Sequence, residues 1–286
     1  MLDKHRLYLI TGAPRSGTTA LHNALIRAKI FAGVLADDME IGRVYKKGDL
    51  YTDEFYPSMK EGVKWSQRRG GCIQEWMIKF RTERILDSLW RRFATPHGLM
   101  LKAPHYVFGI ELYESILADR LKVIYLHRSP FAVALSMCEH PHVGKKVKYG
   151  IENCIDFAEF GLLRRFCDPE ILNLARSLWS RLELLERALF VWSVYGQAYL
   201  LAKRHTNFLD VVIDYDGFDE GAARRLAGFL NVNNERAGSI AQYYQPKFRR
   251  KVTEADLSDE GQKLWRLLKP VDLRLRKMAL TSDDRP

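Results

Sequence analysis

An octapeptide near the start, Gly12-Ala13-Pro14-Arg15-Ser16-Gly17-Thr18-Thr19, dictates much of the architecture. Residues 6–10, RLYLI, form a short apolar run that stops at Thr11-Gly12 and reads as a buried strand. Residues 18–30 carry Leu21, Ala24, Leu25 and Ala28 at three- and four-residue spacing and read as a helix. A glycine-bearing loop between strand and helix is the setting of a phosphate-binding loop. Its glycines let the backbone turn tightly, its N–H groups converge on one cavity, and the helix N-terminus adds partial positive charge. Pro14, Arg15, Ser16, Gly17, Thr18 and Thr19 are therefore candidate phosphate ligands. Nucleoside triphosphatases follow GxxxxGK[ST], with the lysine reaching the terminal phosphates. Thr18 stands at that lysine's position, and Arg15 supplies charge from within the loop. The loop suits a ligand with a 5′-phosphate and no triphosphate.

The chain continues to alternate. Residues 73–93 place Ile73, Trp76, Met77, Phe80, Leu86, Leu89, Trp90 and Phe93 among charges, which predicts an amphipathic helix. Its aromatic stripe, Trp76, Phe80 and Trp90, is expected in the core. Strands are predicted over 99–103, 121–127 and 208–213. Helices are predicted over 105–118, from Ser129-Pro130 onward, over 170–203 (one long or two abutting) and over 220–231. Residues 33–70 lack periodicity, residues 138–169 read as irregular, and the tail carries KFRRK (247–251) and then a polar helix. Strands alternating with helices predict an α/β fold, a parallel sheet flanked by helices on both faces. No repeat or linker divides the chain, so residues 1–286 read as a single domain.

Apolar residues make up 47% and charged residues 28%, which excludes a disordered, collagen-like or coiled-coil chain. The net charge of +10 fits a nucleic acid, an anionic membrane, a small polyanionic ligand or ordinary surface solvation. Cys72, Cys138, Cys154 and Cys167 show no CxxC spacing and read as free thiols in a reducing compartment. The opening MLDKHRLYLITG has no signal-peptide pattern, and no window approaches ~18 uninterrupted apolar residues. A soluble, cytoplasmic protein without a transmembrane segment is expected.

A second anion motif lies further along. The strand VIYLH leads into Arg128-Ser129-Pro130, and Ser136 lies eight residues beyond Arg128. Ser129 suits a helix cap and Pro130 the first helical position. Arg128 thus stands at a helix entrance, where an anion is favoured, and arginine can form two parallel bonds to phosphate. Ser136 sits about two turns into that helix.

Together these motifs resemble a known family. GAPRSGTT preceded by YLIT is similar to the 5′-phosphosulfate loop of sulfotransferases that use 3′-phosphoadenosine-5′-phosphosulfate (PAPS). Members of that family carry an arginine at a strand end and a serine eight residues later, which hold the ribose 3′-phosphate. Arg128 and Ser136 match that order. FLDVVIDYDGF followed by AARRLAGFLNV resembles the family's strand, acidic turn and helix. KFRRK falls where the family places a basic segment over the nucleotide, although it lacks the Arg-Lys-Gly triplet of cytosolic members. Arg249, Arg250 and Lys251 become further candidates by that likeness. The resemblance covers residues 6–136 and 208–230. It implies a P-loop-like sulfotransferase fold, PAPS as donor with the 3′,5′-bisphosphate (PAP) as product, and no required metal. Residues 33–70 and 137–205 remain unmatched and are where contacts to a small-molecule, glycan or lipid acceptor are expected.

Sulfuryl transfer needs in-line placement, positive charge at the leaving oxygen and a base for the acceptor's proton. Arg15 faces the 5′-phosphate, and Lys102 ends the strand LMLKA, where ligands of parallel sheets gather. By resemblance Lys102 contacts the sulfuryl or bridging oxygen. Two readings of the base stay open: His105 in Lys-Ala-Pro-His, or an acid of LADDMEIG, namely Glu40 with Asp37 and Asp38 beside it. The family's histidine lies two residues after the lysine, whereas His105 lies three after it. His140-x-His142 beside proline is not read as a metal site.

Two other functions compete. A P-loop kinase would need the lysine that Thr18 replaces. A nucleic-acid or anionic-surface module would rest on charge alone, without an RNA motif, finger spacing or basic amphipathic helix.

Overall fold

The computed structural model describes residues 6–32, 65, 72–155, 161–245 and 252–281. Four strands, β1 (Leu7–Gly12), β2 (Leu99–Lys102), β3 (Leu121–His127) and β4 (Leu209–Asp214), form one parallel sheet in the order β2-β1-β3-β4. Leu7 pairs with Leu99 on one side and with Leu121 on the other. The chain therefore steps to one side of β1 and then crosses to the opposite side. That reversal opens a crevice at the carboxyl ends of the strands, the usual ligand position in such sheets.

Strand alternation divides the core in two. Leu7, Leu9, Val123 and Tyr125 face one cluster, while Tyr8, Ile10, Ile124 and Leu126 face the other. The second cluster is closed by α1 (Thr18–Arg27), α9 (Glu220–Leu230) and α10 (Asn234–Tyr243). The first packs against α2 (Cys72–Phe93), α3 (Ile110–Leu117), α4 (Pro130–Glu139), α8 (Leu184–His205) and α11 (Asp259–Thr281). The sheet is thus covered on both faces, as the alternation predicts. Gly196 lets α8 and α11 meet closely, since a β-carbon there would stand 2.9 Å from Val271.

Several local expectations are corrected. Residues 138–169 include α5 (Pro141–Lys148) and α6 (Leu162–Phe166) rather than irregular chain alone. Pro141 and Pro169 each open a helix, because the first helical position needs no N–H donor. His140 Nδ1 accepts from the Val143 amide, and the Asp168 side chain caps α7 (Pro169–Leu178). The stretch 170–203 is two helices, α7 and α8, one of the two readings its sequence allowed, while the tail helix read as polar, α11, buries Leu264, Trp265, Leu268 and Leu275. Residues 105–118 begin as a 3-10 segment, Pro104–Gly109, before α3. The aromatic stripe splits: Trp90 is 4% exposed, but Trp76 is 62% and Phe80 44% exposed, their rings stacked on one another.

Cys138, Cys154 and Cys167 are free thiols. Burial pushes Cys138 up to about 11 and Cys167 up to about 12, so both stay protonated and unreactive at neutral pH. Among the described residues, no helix is long and apolar enough to cross a membrane.

Candidate active site

The loop after β1 is pressed between its neighbours. At Gly12 (φ 151°) a β-carbon would lie 2.6 Å from the Leu126 carbonyl, and at Gly17 (φ 101°) one would lie 2.3 Å from the Tyr215 ring. Only glycine fits either position. Arg15 adopts the left-handed region at φ 72°, a conformation that costs an ordinary residue about 1 kcal/mol and recurs where loops serve a ligand. The Ser16 amide closes the turn on the Ala13 carbonyl at 3.1 Å. Ser16 Oγ is buried and has no hydrogen-bond partner among the described residues. A buried hydroxyl in that state is costly unless something completes it. Thr18 is buried and Pro14 half-buried at the start of α1, whose first turn carries no acidic residue.

The second motif closes on the first. Arg15 Nε donates to Ser136 Oγ at 3.2 Å, and Arg128 donates through a terminal nitrogen to the Arg15 carbonyl at 3.3 Å. Arg128 is 6% exposed, and its guanidinium stacks 4.6 Å from the Tyr215 ring centroid. Ser136 is buried on α4. The Ser129 side chain makes no cap bond, contrary to the cap expected of it. Its amide instead donates to Asp216 at 2.8 Å, and the Asp216 carboxylate also stands 3.5 Å from Arg128 Nε. The acidic turn after β4, read from sequence as a fold feature, therefore belongs to the site. It holds the helix entrance at which the sequence favoured an anion.

Lys102 and His105 come from the same edge of the sheet. Lys102 pairs in register with Ile10, and its Nζ donates to Thr19 Oγ1 at 2.9 Å. Lys102 thus reaches the end of the glycine loop directly. Beneath it lies His22 on α1, which no motif singled out. Burial, then the Lys102 charge, lowers the His22 pKa to about 4 despite its bond to Asn23, so its ring is neutral near pH 7. Thr11 Oγ1 donates to the Pro104 carbonyl at 2.8 Å and ties the segment carrying His105 to β1. His105 Nε2 lies 3.1 Å from the hydroxyl of Tyr195, a buried residue of α8 that sequence reasoning missed. Tyr195 lies in a long apolar helix where nothing distinguishes it from core.

A third histidine braces the strand end. His127 pairs with Asp214 in the sheet register, and its Nε2 lies 2.9 Å from Asp272 of α11. Its Nδ1 stands 3.7 Å from the Asp214 carboxylate. Burial opposes the charged ring, but the bonds and charges of Asp214 and Asp272 outweigh it and raise the His127 pKa. Arg128 follows immediately, so this buried clamp sets the backbone from which the arginine projects.

Glu40, Asp37, Asp38, Arg249, Arg250 and Lys251 lie outside the described residues. His140 serves as a helix cap, and no group of His, Cys, Asp and Glu among the described residues is arranged to hold a metal ion.

No family model matches the sequence, and no curated protein matches it. A solved structure does resemble the fold, the sulfotransferase STF9 from Mycobacterium avium. The TM-score is 0.51 at 14% sequence identity, over 96% of this chain and 76% of that one. The chain has a sulfotransferase-like fold. Within it, Arg15, Lys102, Arg128 and Ser136 come together at the carboxyl edge of one sheet, although they are spread over residues 15–136.

Proposed function

We propose that the chain transfers a sulfuryl group from PAPS to a hydroxyl or amine of a small-molecule, glycan or lipid acceptor. The observation that carries this reading is the meeting of Arg15, Arg128 and Ser136, which puts the two phosphate motifs in one site. The loop also fits a phosphate on its own terms. Gly12 and Gly17 leave no room for a side chain, and buried Ser16 Oγ has no hydrogen-bond partner among the described residues. PAPS supplies a sulfuryl group joined to a leaving phosphate. The loop amides with the Thr18 and Thr19 hydroxyls bind the 5′-phosphate. Arg15 and Lys102 bring positive charge to the oxygen where negative charge develops. Arg128 and Ser136 bind the 3′-phosphate. His105 accepts the acceptor's proton, its ring oriented by Tyr195.

Titration of an Arg128→Ala variant tests the assignment. Adenosine 3′,5′-bisphosphate should bind about 10- to 100-fold more weakly than to the parent chain. Adenosine 5′-phosphate should change little. Equal weakening of both ligands removes Arg128 from the 3′-phosphate site. Label appearing on an acceptor from sulfur-labelled PAPS is the direct readout of transfer.

A further inference from the structure

A groove runs between α8 and α11. Its volume is about 490 Å³, and the turn from α6 into α7 completes its lining. That volume lies within the range of about 300–1,000 Å³ typical of small-molecule sites. Along α8 the groove takes Gln197, Leu200, Leu201 and Arg204, one helical face. Tyr195, which holds His105, is two residues from Gln197 and so about 200° around the helix. The groove is therefore on the opposite flank of α8 from His105.

Its chemistry is divided. Leu200, Leu201 and Val271 supply an apolar floor, while Arg204, Arg266 and Arg274 stand exposed along the rim. Arg204 and Arg274 make no hydrogen bond or ion pair among the described residues. Arg266 lends its charge only at a distance, to Glu254. A fourth lining arginine, Arg165, is already paired with Glu111 at 3.0 Å. Of the two acids in the lining, Asp168 is committed to capping α7, which leaves exposed Glu170 against three arginines. An apolar trough with excess positive charge at its rim complements a chain-like molecule carrying one negative head.

We propose that this groove binds a small amphipathic anion, an alkyl chain of medium length ending in a singly charged oxyanion. The chain lies along Leu200, Leu201 and Val271, and the head is held by Arg204 and Arg274. This inference does not depend on the sulfuryl-transfer reading, because the groove shares no residue with the phosphate loop.

Calorimetric titration of the full chain with dodecanoate, below its micelle concentration, tests it. Saturable one-to-one binding is expected, with the same affinity whether or not adenosine 3′,5′-bisphosphate is present. Acetate and dodecyltrimethylammonium should not bind, since the first lacks the chain and the second has the wrong charge. The paired substitution Arg204→Glu and Arg274→Glu should weaken dodecanoate at least about tenfold. Both side chains are exposed, so the thermal midpoint should hold. Leu200→Gln should weaken binding by a separate route. Absence of saturable binding overturns the proposal. So does indifference to the arginine substitutions, competition by the bisphosphate, or equal binding of the cationic amphiphile. Binding to phosphatidylglycerol vesicles without a complex with monomeric dodecanoate also overturns it, in favour of a membrane surface.

Discussion

Arg15 Nε meets Ser136 Oγ at 3.2 Å, a contact between residues 121 positions apart. It fastens the glycine loop after β1 to α4, the helix that follows Arg128. Its loss should loosen the 3′ side of the site. Ser136→Ala is expected to weaken adenosine 3′,5′-bisphosphate by about 3- to 10-fold, the worth of one hydrogen bond. Calorimetry with adenosine 5′-phosphate as the control checks this, and an unchanged bisphosphate affinity contradicts it.

Gly17 allows the loop to pass against Tyr215. Gly17→Ala places a β-carbon at φ 101° and 2.3 Å from that ring. The overpacking alone should cost about 1–3 kcal/mol of stability. Urea unfolding reads it out, and a variant as stable as the parent would show that the loop relaxes freely.

His22 makes stability depend on pH on the acid side. Its folded pKa is about 4, below the ordinary 6.5. Between those values the unfolded chain binds the extra proton, so stability falls as pH drops through that window and levels off below it. The contribution is up to about 3 kcal/mol. Unfolding free energies at pH 7 and pH 4.5 should converge in His22→Asn, and an unchanged gap between them would exclude His22 as the cause.

His127 has the opposite sign. Its folded pKa is raised, so its clamp contributes fully below the unfolded value and is lost as pH rises through the folded one. Asp272→Asn removes one buried partner, at a cost of about 3 kcal/mol at pH 6. The deficit should shrink at pH 9. An equal deficit at both pH values would mean that His127 is neutral throughout.

Tyr195 is expected to act by orienting His105. Tyr195→Phe should lower kcat by about 3- to 10-fold with little change in KM, and displace the pH profile of kcat. A change in KM alone, with the profile unmoved, would assign Tyr195 to packing.

The strands and the loop were legible in the sequence because each rests on a local signal. Apolar runs over 6–10, 99–103, 121–127 and 208–213 marked the four strands, and their alternation with helices implied the parallel sheet. Arg128 and Ser136 were singled out by a resemblance at an eight-residue spacing, and it is Arg15 that bonds each of them. What escaped depended on distant packing. Periodicity showed that Trp76 and Phe80 share a helix face, yet carries no information on whether a neighbour covers it. Pro141 and Pro169 lie in the stretch that read as irregular, since a proline at the first helical position and one outside a helix read alike. His127 with Asp272, and His105 with Tyr195, join residues 145 and 90 positions apart, and neither pair leaves a local trace. Asp216 was visible as part of an acidic turn, but its hold on Arg128 requires β3 and β4 to be adjacent.

One site is expected to bind a ribose 3′-phosphate and a 5′-phosphate together without a metal ion. Calorimetric titration of the chain with adenosine 3′,5′-bisphosphate in the presence of a chelator tests it most directly. Saturable one-to-one binding is expected, undiminished by the chelator and abolished by Arg15→Ala with Arg128→Ala. No binding of the bisphosphate, or magnesium-dependent binding of ATP that the bisphosphate fails to displace, would contradict it.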